Sequence, residues 1–262
     1  MGAGTIVTLL LIAGLGWLIR SAYRKNPKHC LVPGNTAELL EEHVAFYRNL
    51  TDEAKPRFEA RVKKFLENTA IRGVKVVIDD RDRVLVAAGA IIPIFAFDDW
   101  EYRNINEVLI YPGTFTKKFS LKGAARNVLG MVGDGAMNGT MILSQPSIRM
   151  SFQNSTDGHN TVIHEFVHLV DKADGAVDGI PEYLLAKPYM QPWINKIHET
   201  IRGMLAKSKS DINMYGATNE AEFFAVVSEY FFERPGDLKL KHPELYEMLE
   251  HMFTGGNKSY AK

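Results

Sequence analysis

The segment Thr161–Asp171 is the strongest constraint on the fold, because it places ionisable side chains inside an apolar helix. It reads TVIHEFVHLVD, and its remaining residues are mainly apolar. His164 and His168 are four residues apart, so both imidazoles lie on one face of such a helix. Burying both histidines and Glu165 without partners would be costly, and a shared metal ion supplies the partner. The segment therefore predicts a buried helix that holds a metal.

The spacing His164-Glu165-x-x-His168 is typical of a zinc site, in which the glutamate can reach a water on the ion. The alternative is a half-exposed amphipathic helix whose polar groups pair with one another, since so short a pattern also arises by chance. Catalytic zinc needs a third protein ligand and one open position. An extended motif with a third histidine is excluded, because Asp174 occupies its position.

Three acids are candidates for the third ligand on the residues alone. Asp174 is one of them. The other two are in Thr218–Phe232, a strongly apolar helical segment in which Glu222 and Glu229 stand seven apart and share a face. Glu222 has an alternative role in a capping box begun by Asn219. Glu229 has no such role and is expected to be buried.

Two segments, DGHNTVIHEFVHLVD and YGATNEAEFFAVVSEYFFERP, resemble the Mlc titration factor A family of zinc peptidases. The catalytic domain of anthrax lethal factor is similar at a greater distance. The resemblance covers roughly Thr36–Phe253, is strongest from Leu143 onward, and implies a zincin-like domain with one Zn²⁺. It implies Glu222 as the third ligand and a tyrosine facing the metal, Tyr215. Gln145 stands where the family usually has tryptophan.

This resemblance implies hydrolysis of peptide bonds, with aminopeptidase-like action on small peptides. Glu165 is expected to act as general base toward a zinc-activated water. Tyr215 is expected to help hold the developing oxyanion, although from the sequence alone it is equally well a packed aromatic. Asp171 or Glu229 is expected to accept the other ring hydrogen of a ligand histidine, or else to form a salt bridge. His159 is predicted to be a non-ligand.

Two rival functions fit the same residues. The first is a non-catalytic binding module, because the family is known for capturing a sugar-responsive transcription regulator. The second is a membrane-tethered scaffold around a structural zinc, which normally requires four protein ligands where three are found. The intact His164, Glu165, His168 and Glu222 favour the peptidase over both.

The amino-terminal nineteen residues contain no charged side chain and as a helix would extend about 28 Å, close to the thickness of a bilayer core. Arg20, Arg24 and Lys25 follow at once, so the positive-inside rule places the carboxyl-terminal side in the cytoplasm. Residues 1–22 are predicted to be a single-pass anchor in the cytoplasmic membrane. Residues 23–35 are predicted to be a linker, and 36–262 a cytosolic metallopeptidase domain. A signal peptide, a myristoylated Gly2 and a buried soluble helix are the alternatives.

The 262-residue composition is that of an ordinary globular protein, with 46% apolar and 24% charged residues. The formal net charge is zero, which does not favour a nucleic-acid partner. Cys30 is the single cysteine, so it forms no internal disulfide, and its context does not favour a catalytic role.

The order of the predicted elements indicates an α+β fold with the chemistry in the carboxyl-terminal helical half. A long helix is expected to begin at Thr36. Val74–Ile78 and Val84–Ile92 fit either two strands or a strand followed by a buried helix. Further short strands are predicted at Glu107–Tyr111, Gly130–Val132 and Thr140–Leu143.

Overall fold

The computed structural model describes residues 31–114, 130–132, 138–207 and 210–255. The α-helices there are α1 (Thr36–His43), α2 (Ala45–Arg48), α3 (Ala54–Asn68), α4 (Asp80–Ile91), α5 (Gln145–Gln153), α6 (Thr161–Asp171), α7 (Lys187–Ala206), α8 (Glu220–Glu233), α9 (Pro235–Lys241) and α10 (Pro243–Thr254). The strands are β1 (Ala70–Gly73), β2 (Glu107–Tyr111), β3 (Gly130–Val132) and β4 (Thr140–Ser144). Short 3₁₀ turns occur at Ile92–Ile94, Lys172–Asp174 and Met214–Ala217.

The described strands form one small sheet in the order β1-β2-β4-β3. β1, β2 and β4 are parallel, with Val108 aligned to both Ile71 and Met141. β3 runs antiparallel to β4 and pairs Met131 with Ile142. The prediction of an α+β domain with a small sheet is confirmed. The predicted bounds of β2 and β3 are also correct, and β4 extends one residue further, to Ser144.

The strand predicted at Val74–Ile78 is wrong. The strand of this region is β1, which ends at Gly73, and the chain then turns through Lys75, whose φ is +59°. Val77 is 90% exposed after this turn. The β-branched composition that suggested a strand is therefore in a surface loop, because the turn, and not the side-chain type, sets the path of the backbone.

The segment Val84–Ile92 is a buried helix, the second of the two predicted alternatives. Asp79 and Asp82 form a reciprocal capping box at the start of α4, in which each backbone N–H donates to the other side chain at 2.9 and 3.2 Å. α4 packs against α3, α5 and α6. A Cβ at Gly89 would lie 2.4 Å from Cγ1 of Val162, so the missing side chain permits this close approach to α6.

α6 lies at the centre of the domain, where it packs against α4, α5, α8 and β3. Asn160 is its N-cap, and the side-chain oxygen accepts from the Ile163 N–H at 3.0 Å. The apolar face of α6 is buried beside large core side chains such as Phe65 and Tyr102, whose rings contact that of Phe166. This packing holds the polar face of α6 toward α8 and β3.

A buried ion pair ties α4 to α5. The Asp82 carboxylate is fully buried and accepts from Arg149 Nε at 2.8 Å, Arg149 Nη2 at 3.0 Å and Gln145 Nε2 at 2.7 Å. Burial alone would raise the pKa of Asp82, but hydrogen bonds from Arg149 and Gln145 hold this pKa below its ordinary value. Gln145, which replaces the tryptophan typical of the resembled family, thus has a structural partner.

Arg149→Ala is expected to lower the free energy of unfolding by about 2–3 kcal/mol, because it leaves the Asp82 carboxylate buried without its main partner. Since the folded-state pKa of Asp82 is depressed, this contribution is present above the unfolded value of 3.8 and is lost as pH falls through the folded value. Urea unfolding at pH 7 and at low pH measures both effects. Arg72→Ala is the control, because its pair with Glu107 is half exposed and should contribute about 0–1 kcal/mol. Equal losses in the two variants would contradict the prediction.

The predicted anchor at residues 1–22, most of the predicted linker and Cys30 lie outside the described residues. Within the described ranges, no helix is both long enough and apolar enough to cross a membrane. The division of the chain at residues 22 and 35 stays a prediction.

Candidate metal centre

α6 and α8 bring together the three side chains that the sequence analysis proposed as metal ligands. Nε2 of His164 lies 3.2 Å from Nε2 of His168. The Oε2 atom of Glu222 is 3.1 Å from the first of these nitrogens and 3.4 Å from the second. The three atoms thus form a nearly equilateral triangle, and they are the one potential metal-binding group found among the described residues.

The dimensions of this triangle fit a zinc ion. Tetrahedral zinc with bond lengths of about 2.0–2.2 Å separates its ligand atoms by about 3.3–3.6 Å, close to the observed distances. Two imidazole nitrogens and one carboxylate oxygen are a donor set that zinc accepts, and three protein ligands leave one position open. All three residues line a cavity of about 1020 Å³, so the open position can be reached from solvent.

Glu229 fixes the orientation of His164 by contacting the ring nitrogen that is not part of the triangle. Its Oε1 atom lies 2.7 Å from Nδ1 of His164, and its Oε2 atom accepts from the Asn160 N–H at 2.6 Å. The Glu229 side chain is 6% exposed. With Nδ1 donating to this carboxylate, Nε2 of His164 is the ring nitrogen directed at the other two ligand atoms, and it would present its lone pair to a bound ion. Of the two acids predicted for such a role, Glu229 makes the contact.

The carboxylates give this site a strong preference for positive charge. Burial alone would lower the pKa of His164, but its contacts with Glu222 and Glu229 raise that pKa to about 10. Burial would likewise raise the pKa of Glu222, whereas its hydrogen bonds with His164 and His168 hold it well below the ordinary value. A group of this charge distribution is suited to a divalent cation.

Glu165 lies next to the triangle and also lines the cavity. Its side chain is 7% exposed, and burial raises the pKa of its carboxyl group. β3 closes the cavity on this side. A Cβ on Gly130 would lie 2.7 Å from Oε1 of Glu165 and 2.6 Å from its Cγ, so the carboxylate has room only because position 130 has no side chain. The sequence around Gly130 gives no sign of this role, since a glycine at a strand end equally often marks a bulge or a bend.

Tyr215 approaches the triangle from the Met214–Ala217 turn. Its hydroxyl donates to Oε1 of Glu222 at 3.2 Å, and its side chain remains 52% exposed on the cavity wall. Burial, followed by the charge of Glu222, raises the pKa of the phenol to about 12. The hydroxyl therefore keeps its proton at neutral pH, and in the structure this proton is donated to Glu222.

The remaining sequence candidates lie outside the triangle. Asp174 accepts from the N–H groups of Ala176 and Glu182 on an exposed loop, which removes it as a third ligand. Asp171 is fully buried, but its Oδ2 accepts from the Gly179 N–H at 2.9 Å, so it holds a loop and makes no bond to a histidine. His159 lines the cavity wall and is not part of the group of His164, His168 and Glu222.

Half of the capping box predicted at the start of α8 is present. The side chain of Asn219 accepts from the Glu222 N–H at 2.9 Å. The Glu222 carboxylate does not return to the cap and is directed to the two histidines. The cap thus fixes the first turn of α8 and leaves this carboxylate available for a metal.

Known proteins are similar in sequence to this chain over most of its length. A family model described as glucose-regulated metallo-peptidase M90 matches residues 19–254, which include all of α6 and α8. An uncharacterised protein of Synechocystis sp. is 29% identical over 234 residues, which are 85% of this chain and 84% of that protein. Mlc titration factor A of Escherichia fergusonii is 27% identical over 220 residues, covering 78% and 80% of the two chains. The protein of the same name from Salmonella arizonae is 29% identical over 217 residues, covering 76% and 82%.

Proposed function

The chain belongs to the glucose-regulated metallo-peptidases of family M90, and on this basis we propose that it is a zinc-dependent peptidase with a zincin-like catalytic domain. The observation that carries the proposal is the triangle of two imidazole nitrogens and one carboxylate oxygen beside a buried glutamate. His164, His168 and Glu222 would hold one Zn²⁺. The bound ion would polarise the scissile carbonyl and lower the pKa of a water toward about 7.

Glu165 supplies the general base. Its buried carboxylate has a raised pKa, which brings its basicity closer to neutral pH. It accepts the proton of the water that attacks the peptide carbonyl, and it delivers this proton to the nitrogen of the leaving amine. The same group therefore acts as base and then as acid in one turnover.

Tyr215 supplies a hydrogen bond to the developing oxyanion. Its hydroxyl donates to Glu222 at 3.2 Å in the structure, and a rotation of its exposed side chain brings the donor to a substrate oxygen in the cavity. Glu229 keeps His164 in the tautomer that presents Nε2 to the ion. Glu165 thus transfers the proton, Tyr215 donates a hydrogen bond and Glu229 orients a ligand histidine. The bond that breaks is the C–N bond of the peptide.

The proposal is tested on the full-length chain. After dialysis we expect about one zinc per chain by elemental analysis, the stoichiometry of a single three-ligand site. A peptide library should be hydrolysed, with activity lost on treatment with a chelator and restored by zinc. Matched peptides with free and acetylated amino termini would distinguish aminopeptidase from endopeptidase action. A zinc-loaded chain that cleaves no member of the library would contradict the peptidase proposal.

Gly130→Ala is expected to lower kcat by about 10–10²-fold, because a displacement of about 1 Å at a catalytic group has effects of that size. The added Cβ would displace Glu165, whose atoms are 2.6–2.7 Å away, whereas zinc content and thermal stability should be retained. Gly113→Ala is the matched control, since a Cβ there meets nothing within 4 Å. Steady-state kinetics of both variants measure the effect. Unchanged turnover in Gly130→Ala would mean that the position of Glu165 does not limit catalysis.

Two further properties are part of the proposal. The segment at residues 1–22 would anchor the chain in the cytoplasmic membrane with the catalytic domain in the cytosol, which labelling of single introduced cysteines from each side would test.

A transcription regulator is a proposed partner besides the peptide substrate, and the name of the relatives called Mlc titration factor A supports this proposal. Capture of a regulator by both the wild type and Glu165→Gln would show that binding does not require cleavage.

A further inference from the structure

A second cavity, of about 920 Å³, lies between α2, α5, α8 and α10. None of the described residues that line it also lines the cavity of the metal centre. The two are nevertheless neighbours, because Asn160 lines the second cavity while its backbone N–H donates to Glu229. The second cavity is thus a separate space behind the amino-terminal end of α6, large enough for a small organic ligand.

Aromatic rings form much of its apolar lining. Phe46, Phe152, Phe231 and Phe232 are each partly exposed there. The centroids of Phe46 and Phe232 are 6.2 Å apart in an edge-to-face arrangement, and the ring of Tyr246 lies 5.5 Å from that of Phe231. Such a lining favours an apolar body, and its ring faces attract a cation.

The charged groups of this cavity are mostly acids. Glu233, Glu247 and Glu250 line it, and the described lining contains no lysine or arginine, with His251 as its sole ionisable nitrogen group. The Oε1 atom of Glu233 accepts from Asn160 Nδ2 at 3.1 Å, whereas its Oε2 atom is buried and has no hydrogen-bond partner. A carboxyl group with one unpartnered oxygen, on a residue that lines the cavity, is a position at which a hydrogen-bonding cation would be favoured.

The ionisation of Glu233 agrees with this interpretation. Burial, reinforced by the nearby charges of Asp157 and Glu229, raises the pKa of Glu233 to about 8, despite hydrogen bonds from Asn160 and from the His159 backbone. The carboxyl is therefore mostly protonated at pH 7. An ammonium group beside this carboxyl would favour its ionised form.

We propose that the second cavity is a ligand site for a small organic amine, whose ammonium group pairs with Glu233 and whose apolar body packs on Phe231 and Phe232. A neutral ligand would leave the acidic lining without a counter-charge, and an anion would be repelled by it. The site requires neither zinc nor turnover, and it goes beyond the peptidase function.

Calorimetric titration of the full-length chain with 2-phenylethylammonium tests the proposal, with 2-phenylethanol as the neutral control of the same shape. The ammonium should bind and the alcohol should bind at least about tenfold more weakly. Glu233→Gln should lose at least about tenfold in affinity for the ammonium, whereas Glu247→Gln, which removes an exposed acid from the same cavity, should change it by less than about twofold. Equal effects of the two substitutions would reduce the result to general charge attraction and overturn the proposal.

Proton release gives a second readout that mere destabilisation would not produce. Because Glu233 is mostly protonated at pH 7, binding should release a proton, measurable as a binding enthalpy that differs between buffers of different ionisation enthalpy. Asp157, Glu229, Glu250 and His251 also face this region, so Glu233→Gln must abolish the release for the assignment to hold. Thermal melting of the variant verifies that it is folded.

Two further outcomes would decide against a small-molecule site. Ala45→Phe enlarges a residue that lines the cavity and should also prevent binding of the ammonium. Retained affinity in this variant would place the ligand elsewhere. A lysine-containing peptide that binds when 2-phenylethylammonium does not would make this surface a protein-docking site and overturn the proposal.

Discussion

Replacing Glu165 by glutamine is expected to lower kcat for peptide hydrolysis by about 10²–10⁴-fold, the contribution of a positioned general base. Glutamine keeps the shape of the side chain, but its amide does not accept a proton near neutral pH. Glu165 is 7% exposed and burial raises the pKa of its carboxyl group, so a neutral amide suits these surroundings and the fold should persist. Zinc content and thermal unfolding should match the wild type, which assigns the loss to proton transfer.

Glu220→Gln is the control for this experiment. Glu220 lines the same cavity and lies on the same helix as Glu222, but its side chain is 47% exposed and pairs with His198 at 3.1 Å. Its loss should change kcat by less than about threefold, since an exposed pair contributes little. If Glu165→Gln hydrolysed peptides as fast as Glu220→Gln at equal zinc content, another group would have to take the proton, and the proposed mechanism would be wrong.

The helix that carries the histidines was predictable because its determinants are local. Apolar residues at helical spacing specify the buried face of α6, and Asn160 specifies its start by accepting a hydrogen bond from the Ile163 N–H. The spacing of His164 and His168 then places both imidazoles side by side, as observed. None of these features depends on the rest of the chain.

The third side chain of the triangle depends on tertiary packing. Glu222 and Glu229 are two turns apart on α8, about 10 Å along the axis, so the residues alone do not determine which turn faces the histidines. The resemblance to zinc peptidases is what favoured Glu222 as the third ligand. In the structure both acids contact His164, one at each ring nitrogen. The position of Glu229 beside Nδ1 of His164 favours its predicted role as a histidine partner.

Contacts between distant segments account for what the sequence did not reveal. Gly130 matters because β3 lies against α6, and no feature near position 130 indicates this neighbour. The acidic second cavity likewise forms from helices that are separate in sequence. Val74–Ile78 illustrates the opposite error, since its local composition favoured a strand, but the chain turns at Lys75, directly after the Val74 N–H has donated to the Ile110 carbonyl.

Glu222→Gln is expected to reduce zinc affinity more strongly than any change outside the triangle. Loss of an outer partner of a ligand histidine typically costs about 10–100-fold in metal affinity, and loss of the ligand itself should exceed that range. The carboxylate contacts both histidines at 3.1 and 3.4 Å, so its replacement by a neutral amide removes the negative charge that balances the ion. Competition with a zinc-binding dye measures the affinity, and peptide hydrolysis should fall with zinc occupancy.

Glu229→Gln is the informative comparison, because it alters the same histidine from the other side. This variant keeps all three ligand atoms and loses the carboxylate 2.7 Å from Nδ1 of His164, so its zinc affinity should fall within the range of about 10–100-fold. Melting experiments provide a readout independent of catalysis, since a metal that binds the folded chain raises its melting temperature according to its affinity. The rise on adding zinc should be largest for the wild type, smaller for Glu229→Gln and smallest for Glu222→Gln. A reversed order of the two variants would identify Glu229 as the ligand and Glu222 as its support, and the assignment of the triangle would have to be exchanged.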